Sequence, residues 1–209
     1  MTQEQEILLK EGKMLPIMEH FYTIQGEGAH TGKAAYFIRV GGCDVGCHWC
    51  DVKESWNPDL HPLMDVETIV QTAASHCKTI VLTGGEPLTY NLDYITARLK
   101  DLGCTIHIET SGAYPLSGQL DWITLSPKKS KLPLQEIYEK AHELKMIIFN
   151  QHDFIFSEEQ AAKVNKNCKL YLQSEWSKRN ENYPKITDYI LKHPEWQASV
   201  QTHKYLNIP

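Results

Sequence analysis

No part of the 209-residue sequence holds the uninterrupted apolar run that a bilayer-spanning helix needs. The opening residues are equally poor as a secretion signal. Between Met1 and Pro16 the apolar step Ile7, Leu8, Leu9 is hemmed in by Glu4, Glu6, Lys10, Glu11 and Lys13. Neither a membrane partner nor a leader is expected, and the expected location is the cytoplasm. An excess of positive charge is lacking as well. Twenty-one Lys and Arg against 26 Asp and Glu leave a formal charge of -5, which excludes the basic footprint of a general nucleic-acid binder. Low-complexity tracts, internal repeats and long linkers are absent, so one domain over residues 1–209 is expected, with an amino-terminal extension at 1–15 and a tail at 201–209.

Six cysteines could form a disulfide framework in a small secreted chain, but a chain of this length and ordinary apolar content has no need of one. Cys77, Cys104 and Cys168 are scattered through apolar segments, as core cysteines are. Cys43, Cys47 and Cys50 fall within eight residues of each other and point to a chemical role.

Short β-rich runs recur at Tyr36–Val40, Thr79–Leu82, Thr105–Ile108, Trp122–Leu125, Met146–Phe149 and Lys169–Leu172. They show little polar alternation, which suits parallel strands covered on both faces. Helical patterns lie between them. Asp65 caps a segment running to His76, Asn91 precedes the stripe Leu92, Ile95, Leu99, Leu102 before Gly103, and Pro133 opens a helix to Leu144. Ser157 followed by Glu158, Glu159 and Gln160 reads as a further helix start, and Ile186, Tyr189 and Ile190 mark a last helix. The nine residues Gly112–Leu120 are too few for a full crossover, so one helix is expected to be missing there. The predicted class is α/β: an incomplete, splayed parallel barrel of about six strands with fewer helices.

Cys43-x3-Cys47-x2-Cys50 follows directly on the strand ending at Val40, with Gly41 and Gly42 at the turn. Three thiolates on one loop bind three corners of a metal cluster, and there is no second CxxC pair to complete a zinc tetrahedron. A structural zinc that recruits His48 or another histidine is the alternative. The loop sits where parallel α/β folds place their ligands.

The cysteine spacing, with Trp49 before the last cysteine, resembles the signature of radical S-adenosylmethionine (SAM) enzymes. The resemblance implies that Cys43, Cys47 and Cys50 hold a 4Fe-4S cluster whose fourth iron is chelated by SAM, with no catalytic side chain beyond cluster and SAM. Thr83-Gly84-Gly85-Glu86-Pro87 resembles the family's GGE motif, implying SAM contacts at Gly85 and Glu86 and a substrate contact at Thr83. Glu109 and Ser111 in one segment, Ser126, Pro127 and Lys128 in another, and Gln173, Ser174, Glu175 and Trp176 in a third resemble the remaining SAM contacts.

The flanks narrow the resemblance to the 7-carboxy-7-deazaguanine synthase family of queuosine biosynthesis. Ile24, Gln25, Gly26 and Glu27, with Arg39, resemble its binding segments for 6-carboxy-5,6,7,8-tetrahydropterin, and His203 and Pro209 its substrate-contacting tail. The chemistry agrees: a pterin presents an amide-like edge, and its carboxylate suits a guanidinium. The family also implies Mg²⁺ at the substrate carboxylate, a flavodoxin or ferredoxin electron donor and a homodimer. At the Mg²⁺ position the sequence departs, because Val52 stands where the family has a hydroxyl residue. A glycyl-radical activase and a non-catalytic zinc-binding module are the competing readings.

Overall fold

A computed structural model describes residues 2–209. The chain runs α1 (Gln3–Lys10), β1 (Met14–Ile24), β2 (Ala34–Val40), β3 (Leu63–Asp65), α2 (Val66–His76), β4 (Thr79–Gly84), α3 (Asp93–Asp101) and β5 (Thr105–Thr110). It continues through β6 (Trp122–Leu125), α4 (Gln135–Lys140), β7 (Glu143–Ile148), α5 (His152–Ala161), β8 (Lys169–Ser174), α6 (Arg179–Ile190), β9 (Trp196–Ser199) and α7 (Thr202–Leu206). All nine strands form one sheet in the order β3-β1-β2-β4-β5-β6-β7-β8-β9. From β2 to β9 every neighbouring pair is parallel, while β1 runs antiparallel to both β2 and β3. The two ends of the sheet do not pair, so the barrel stays open. No helix among the described residues is long and apolar enough to cross a membrane.

The splayed barrel follows the sequence, with a seventh parallel strand, β9, and two antiparallel strands on the β2 side. One face of each parallel strand is apolar. Ile38, Ile80, Leu82, Ile106, Ile108, Leu125, Leu144, Met146, Ile148 and Leu172 join Ile69, Ile95, Leu99, Ile137, Phe154 and Ile186 of the helices in one buried core. The opposite face carries Arg39, Thr83, Glu109, Lys145 and Gln173 toward the barrel interior. Strand register places Arg39 directly beside Thr83 on the neighbouring strand.

Asp65 caps α2 as expected, accepting the Thr68 N–H at 2.9 Å. Gly103, at φ +72, makes the turn after α3. No helix occupies 112–121. Two boundaries differ. The helix opened near Pro133 ends at Lys140 rather than Leu144, because β7 begins at Glu143. Glu143 and Lys145 point into the barrel while Leu144 and Met146 enter the core, an alternation that the buried charges disguise. The next helix starts at His152 rather than Ser157, whose hydroxyl sits inside it and donates to the Asp153 carbonyl at 2.7 Å.

Candidate active site

The carboxyl ends of the parallel strands, the β1–β2 turn and the chain's last residues surround a cavity of about 390 Å³, large enough for a small organic ligand. The cysteines lie on one wall and a cluster of buried charges on another.

The cysteine wall is held by its backbone. The Gly42 N–H donates to the Ser55 carbonyl at 2.6 Å, the Cys43 N–H to the Trp56 carbonyl at 3.1 Å, and the Glu86 N–H to the Gly42 carbonyl at 2.9 Å. Gly85 packs so tightly behind this loop that a Cβ there would stand 2.4 Å from the Gly42 carbonyl oxygen and 2.7 Å from the Cys43 Cβ. Only glycine allows that approach. Cys43, Cys47 and Cys50 are free, partly exposed and all line the cavity. Burial raises the Cys43 and Cys47 thiols above their ordinary value, with Lys128 acting against the shift at Cys47.

Among the described residues, the His, Cys, Asp and Glu donors that converge within 4.8 Å are Glu158, His193 and Glu195, far from this loop in sequence. At least one pair of the three cysteine sulfurs therefore stands more than 4.8 Å apart, beyond the ~3.8 Å between neighbouring sulfurs at ~2.3 Å bonds around a single zinc. Three separated thiols on one glycine-backed loop fit a polynuclear iron-sulfur cluster better than one zinc ion.

On the other wall, Lys145 is buried and bridges two carboxylates, Glu27 at 2.5 Å and Glu109 at 3.1 Å. Gln25 Nε2 donates to Glu109 at 3.0 Å, its Oε1 accepts the Glu27 N–H at 3.1 Å, and Gln201 Nε2 donates to Glu27 at 2.9 Å. Burial pushes the Glu27 carboxyl up, but the Lys145 ammonium outweighs it and holds the group at about 2. Burial likewise opposes the Lys145 charge, and Glu109, Glu27 and Glu143 together keep its pKa above the ordinary lysine value. The turn carrying Gln25–Glu27 is anchored from below. The Ala29 N–H donates to Glu143 at 3.1 Å and the Gly28 N–H to the Ser199 hydroxyl at 2.9 Å.

The tail closes the cavity. The Thr202 N–H donates to the Gly26 carbonyl at 2.9 Å, Lys204 pairs with Asp51 at 2.9 Å, and the Thr23 hydroxyl meets the Pro209 carbonyl at 3.4 Å. Trp176 is packed by the Tyr205 ring at 5.3 Å, the Arg179 guanidinium at 4.2 Å and the Lys204 ammonium at 5.1 Å. Burial lowers the His203 pKa, against the pull of Glu27.

Of the residues singled out from sequence, Ile24, Gln25, Gly26, Glu27, Arg39, Thr83, His203 and Pro209 all line this cavity. So do Gly85, Glu86, Glu109, Ser111, Ser126, Lys128, Gln173, Ser174, Glu175 and Trp176. Three of these residues have surroundings that the sequence does not show. Pro127, in the loop that follows β6, is buried outside the lining, whereas its neighbours Ser126 and Lys128 reach the cavity. Glu86 offers no free anion. Its two oxygens accept from the Leu88 N–H at 3.1 Å, the Thr110 hydroxyl at 2.6 Å, the Ser111 N–H at 2.8 Å and the Ser111 hydroxyl. Four donors fill a carboxylate, so Glu86 ties the β4 loop to the β5 loop. Glu109, expected with the SAM contacts, is held by Gln25 and Lys145. Sequence reasoning missed Lys145, Gln201 and Asp51. A lysine within the apolar run Leu144–Ile148 was the available signal for Lys145.

Comparison with known proteins gives concordant matches. Residues 37–128 match the radical SAM superfamily. The chain is 65% identical over 209 residues to a 7-carboxy-7-deazaguanine synthase of Flavobacterium psychrophilum, covering all of both chains. It is 51% identical over 194 residues to a Synechocystis sp. protein of the same name, covering 92% of this chain and 93% of that one. The crystal structure of QueE from Escherichia coli superimposes with a TM-score of 0.82 at 28% identity, covering 97% of this chain and all of that one.

Proposed function

The chain belongs to the 7-carboxy-7-deazaguanine synthase family of radical SAM enzymes, and from that membership we infer that it converts 6-carboxy-5,6,7,8-tetrahydropterin to 7-carboxy-7-deazaguanine with release of ammonia. The observation that carries this reading is the meeting, in one cavity, of the cysteine loop with Gln25, Glu27, Arg39 and the carboxyl-terminal Pro209. The relatives support neither the glycyl-radical activase nor the zinc module.

Cys43, Cys47 and Cys50 would hold the 4Fe-4S cluster that the family uses with SAM. When bound, the two would supply radical chemistry directed at the carbon bearing the substrate carboxylate. The chain's own contribution is binding, orientation and exclusion of water. Gly85, Ser126, Lys128 and the segment Gln173–Trp176 form the SAM side, where Lys128 is fixed by the Ser126 carbonyl at 2.7 Å and hydroxyl at 2.6 Å. Gln25 and Glu27 offer an acceptor and donor edge to the pterin, and the Arg39 guanidinium faces its carboxylate. Lys145 keeps Glu27 ionised and is itself occupied by Glu27 and Glu109. Thr83, beside Arg39, adds a hydroxyl. The tail, through Gln201, His203, Lys204 and Pro209, closes the cavity over the bound pair and limits access of water to a reactive centre.

The cluster loop offers little to Mg²⁺. The Val52 side chain carries no oxygen, its carbonyl accepts the Ser55 hydroxyl, and one Asp51 oxygen is paired with Lys204, so the reading rests on the cluster and SAM. A low-potential flavodoxin or ferredoxin is the electron donor this chemistry asks for, and a cytoplasmic homodimer is the assembly that the family resemblance suggests. Residues from Phe21 to Pro209 contribute to one site, which supports treating the chain as a single radical SAM domain.

The test is turnover. Anaerobically reconstituted protein given SAM, reductant and the carboxytetrahydropterin should release ammonia and 7-carboxy-7-deazaguanine, detected by mass spectrometry. Absence of both at full cluster content overturns the assignment.

A further inference from the structure

β1 carries a fault in its pairing that bears directly on the cavity. From Glu19 to Ile24 it pairs with β2 residue for residue, Glu19 opposite Arg39 and Phe21 opposite Phe37, but one step earlier the register shifts and Ile17 faces Val40. Met18 is the extra residue of a β-bulge. In an unbroken strand every second side chain shares a face, so Leu15, Ile17, Glu19, Phe21 and Thr23 would all point the same way. The bulge reverses the strand. Leu15 and Ile17 are buried in the helix-covered core with Val40, whereas Phe21 and Thr23 line the cavity with Arg39. Glu19 is the first residue after the reversal, and without the bulge its carboxylate would fall on the core side. Bulges beside active sites often serve to re-aim a side chain.

Glu19 is aimed at Arg39. Its Oε1 accepts from the Arg39 Nε at 2.6 Å. This is the side-chain hydrogen bond that Arg39 makes among the described residues, so both terminal nitrogens of the guanidinium remain available. The Arg39 side chain is 20% exposed and that of Glu19 44%, which sets Glu19 at the rim and Arg39 between it and the cavity. A pair this exposed adds little to folding stability, so stability does not account for a bulge that creates it.

The structure assigns Glu19 to the positioning of Arg39: by occupying Nε it fixes the rotation of the guanidinium, leaving the two terminal nitrogens as an end-on fork for the substrate's carboxylate. A planar fork recognises a carboxylate through two parallel hydrogen bonds, and blocking the side-on edge leaves one orientation for the bound anion. The inference rests on the proposed role of Arg39 as carboxylate receptor. It adds a cost: a second negative charge near the bound carboxylate. Orientation and repulsion therefore pull affinity in opposite directions, which makes the sign of the effect decisive.

The test compares the reconstituted holoenzyme with its E19A, E19Q and R39A variants. E19A should raise the KM for the carboxytetrahydropterin roughly tenfold, the loss of about one charge-assisted hydrogen bond, with kcat within about twofold. E19Q, whose amide oxygen can still accept from Nε, should restore most of the affinity. SAM cleavage without substrate should be unchanged in both, and a tetrahydropterin lacking the carboxylate should bind native and E19A protein equally. An unchanged or lowered KM in E19A overturns the inference, as does equal weakening toward the analogue without the carboxylate. R39A separates the two levels. If R39A loses substrate affinity while E19A keeps it, Arg39 stands and Glu19 falls; if R39A binds substrate normally, the carboxylate-receptor reading itself fails.

Discussion

Replacing Lys145 by Met tests the buried charge cluster that shapes the substrate wall. Lys145 has 5% of its side chain exposed and bridges Glu27 and Glu109. Methionine nearly fills the volume but leaves both carboxylates without their cation. Against burial, the Lys145 pairing, helped by Gln201 and His203, holds Glu27 at about 2 rather than an ordinary 4.5, a net difference of roughly 3 kcal/mol at ~1.4 kcal/mol per pH unit. Removing one partner of a buried pair costs about 3–5 kcal/mol, which agrees. For a chain of this size roughly 3 kcal/mol corresponds to about 6–12 °C in Tm.

The pH dependence carries the sign. In the native chain Glu27 has a lowered pKa, so its stabilisation is complete above about 4.5 and lost only as the pH falls toward 2. In K145M, burial without a cation raises the same carboxyl above its unfolded value. The variant's deficit should then be largest near about pH 7.5 and shrink near about pH 5.5, where the carboxyl takes up a proton. Anaerobic thermal unfolding at the two pH values measures this. A K145M Tm within about 2 °C of native at neutral pH, or a deficit that grows on acidification, would refute the reasoning.

Gly28 sits at φ +64, and a Cβ there would stand 1.9 Å from Glu143 Oε1; G28A should cost about 2 kcal/mol or more and raise the substrate KM, read from Tm and steady-state kinetics. Alanine at Cys43, Cys47 or Cys50 should abolish iron and sulfide incorporation, whereas alanine at Cys77, Cys104 or Cys168 should leave cluster content intact and cost a few kcal/mol at most, measured by metal analysis and unfolding. Deleting Pro209, whose carbonyl meets Thr23, should weaken binding of the carboxytetrahydropterin while SAM cleavage persists; unchanged affinity counts against a docked tail.

The splayed barrel was legible because its signals are local: short branched-aliphatic runs, the Asp65 cap, the glycine after α3. The cysteine loop was legible because three thiols within eight residues, directly after a strand, form a metal-binding spacing that core packing does not require. β1 and β3 were missed because each half of β1 presents a different face, so the bulge at Met18 erases the alternation that marks a strand. β7 was misplaced because Glu143 and Lys145 look like the polar end of a helix until Glu27 from the β1–β2 turn and Glu109 from β5 arrive to neutralise the lysine. The partners of Glu86 were hidden for a similar reason. Its sequence context shows an available carboxylate, and the four donors that fill it come from the next turn and from Thr110 and Ser111 on another strand. Long-range satisfaction of buried polar groups is the information a linear reading does not hold.

The decisive measurement is the electron paramagnetic resonance spectrum of the reduced, reconstituted protein before and after addition of SAM. A three-thiol site that leaves one iron open should give a 4Fe-4S signal that changes when SAM binds. Stoichiometric zinc without iron, or a cluster signal indifferent to SAM, would contradict the assignment of Cys43, Cys47 and Cys50 and the chemistry built upon it.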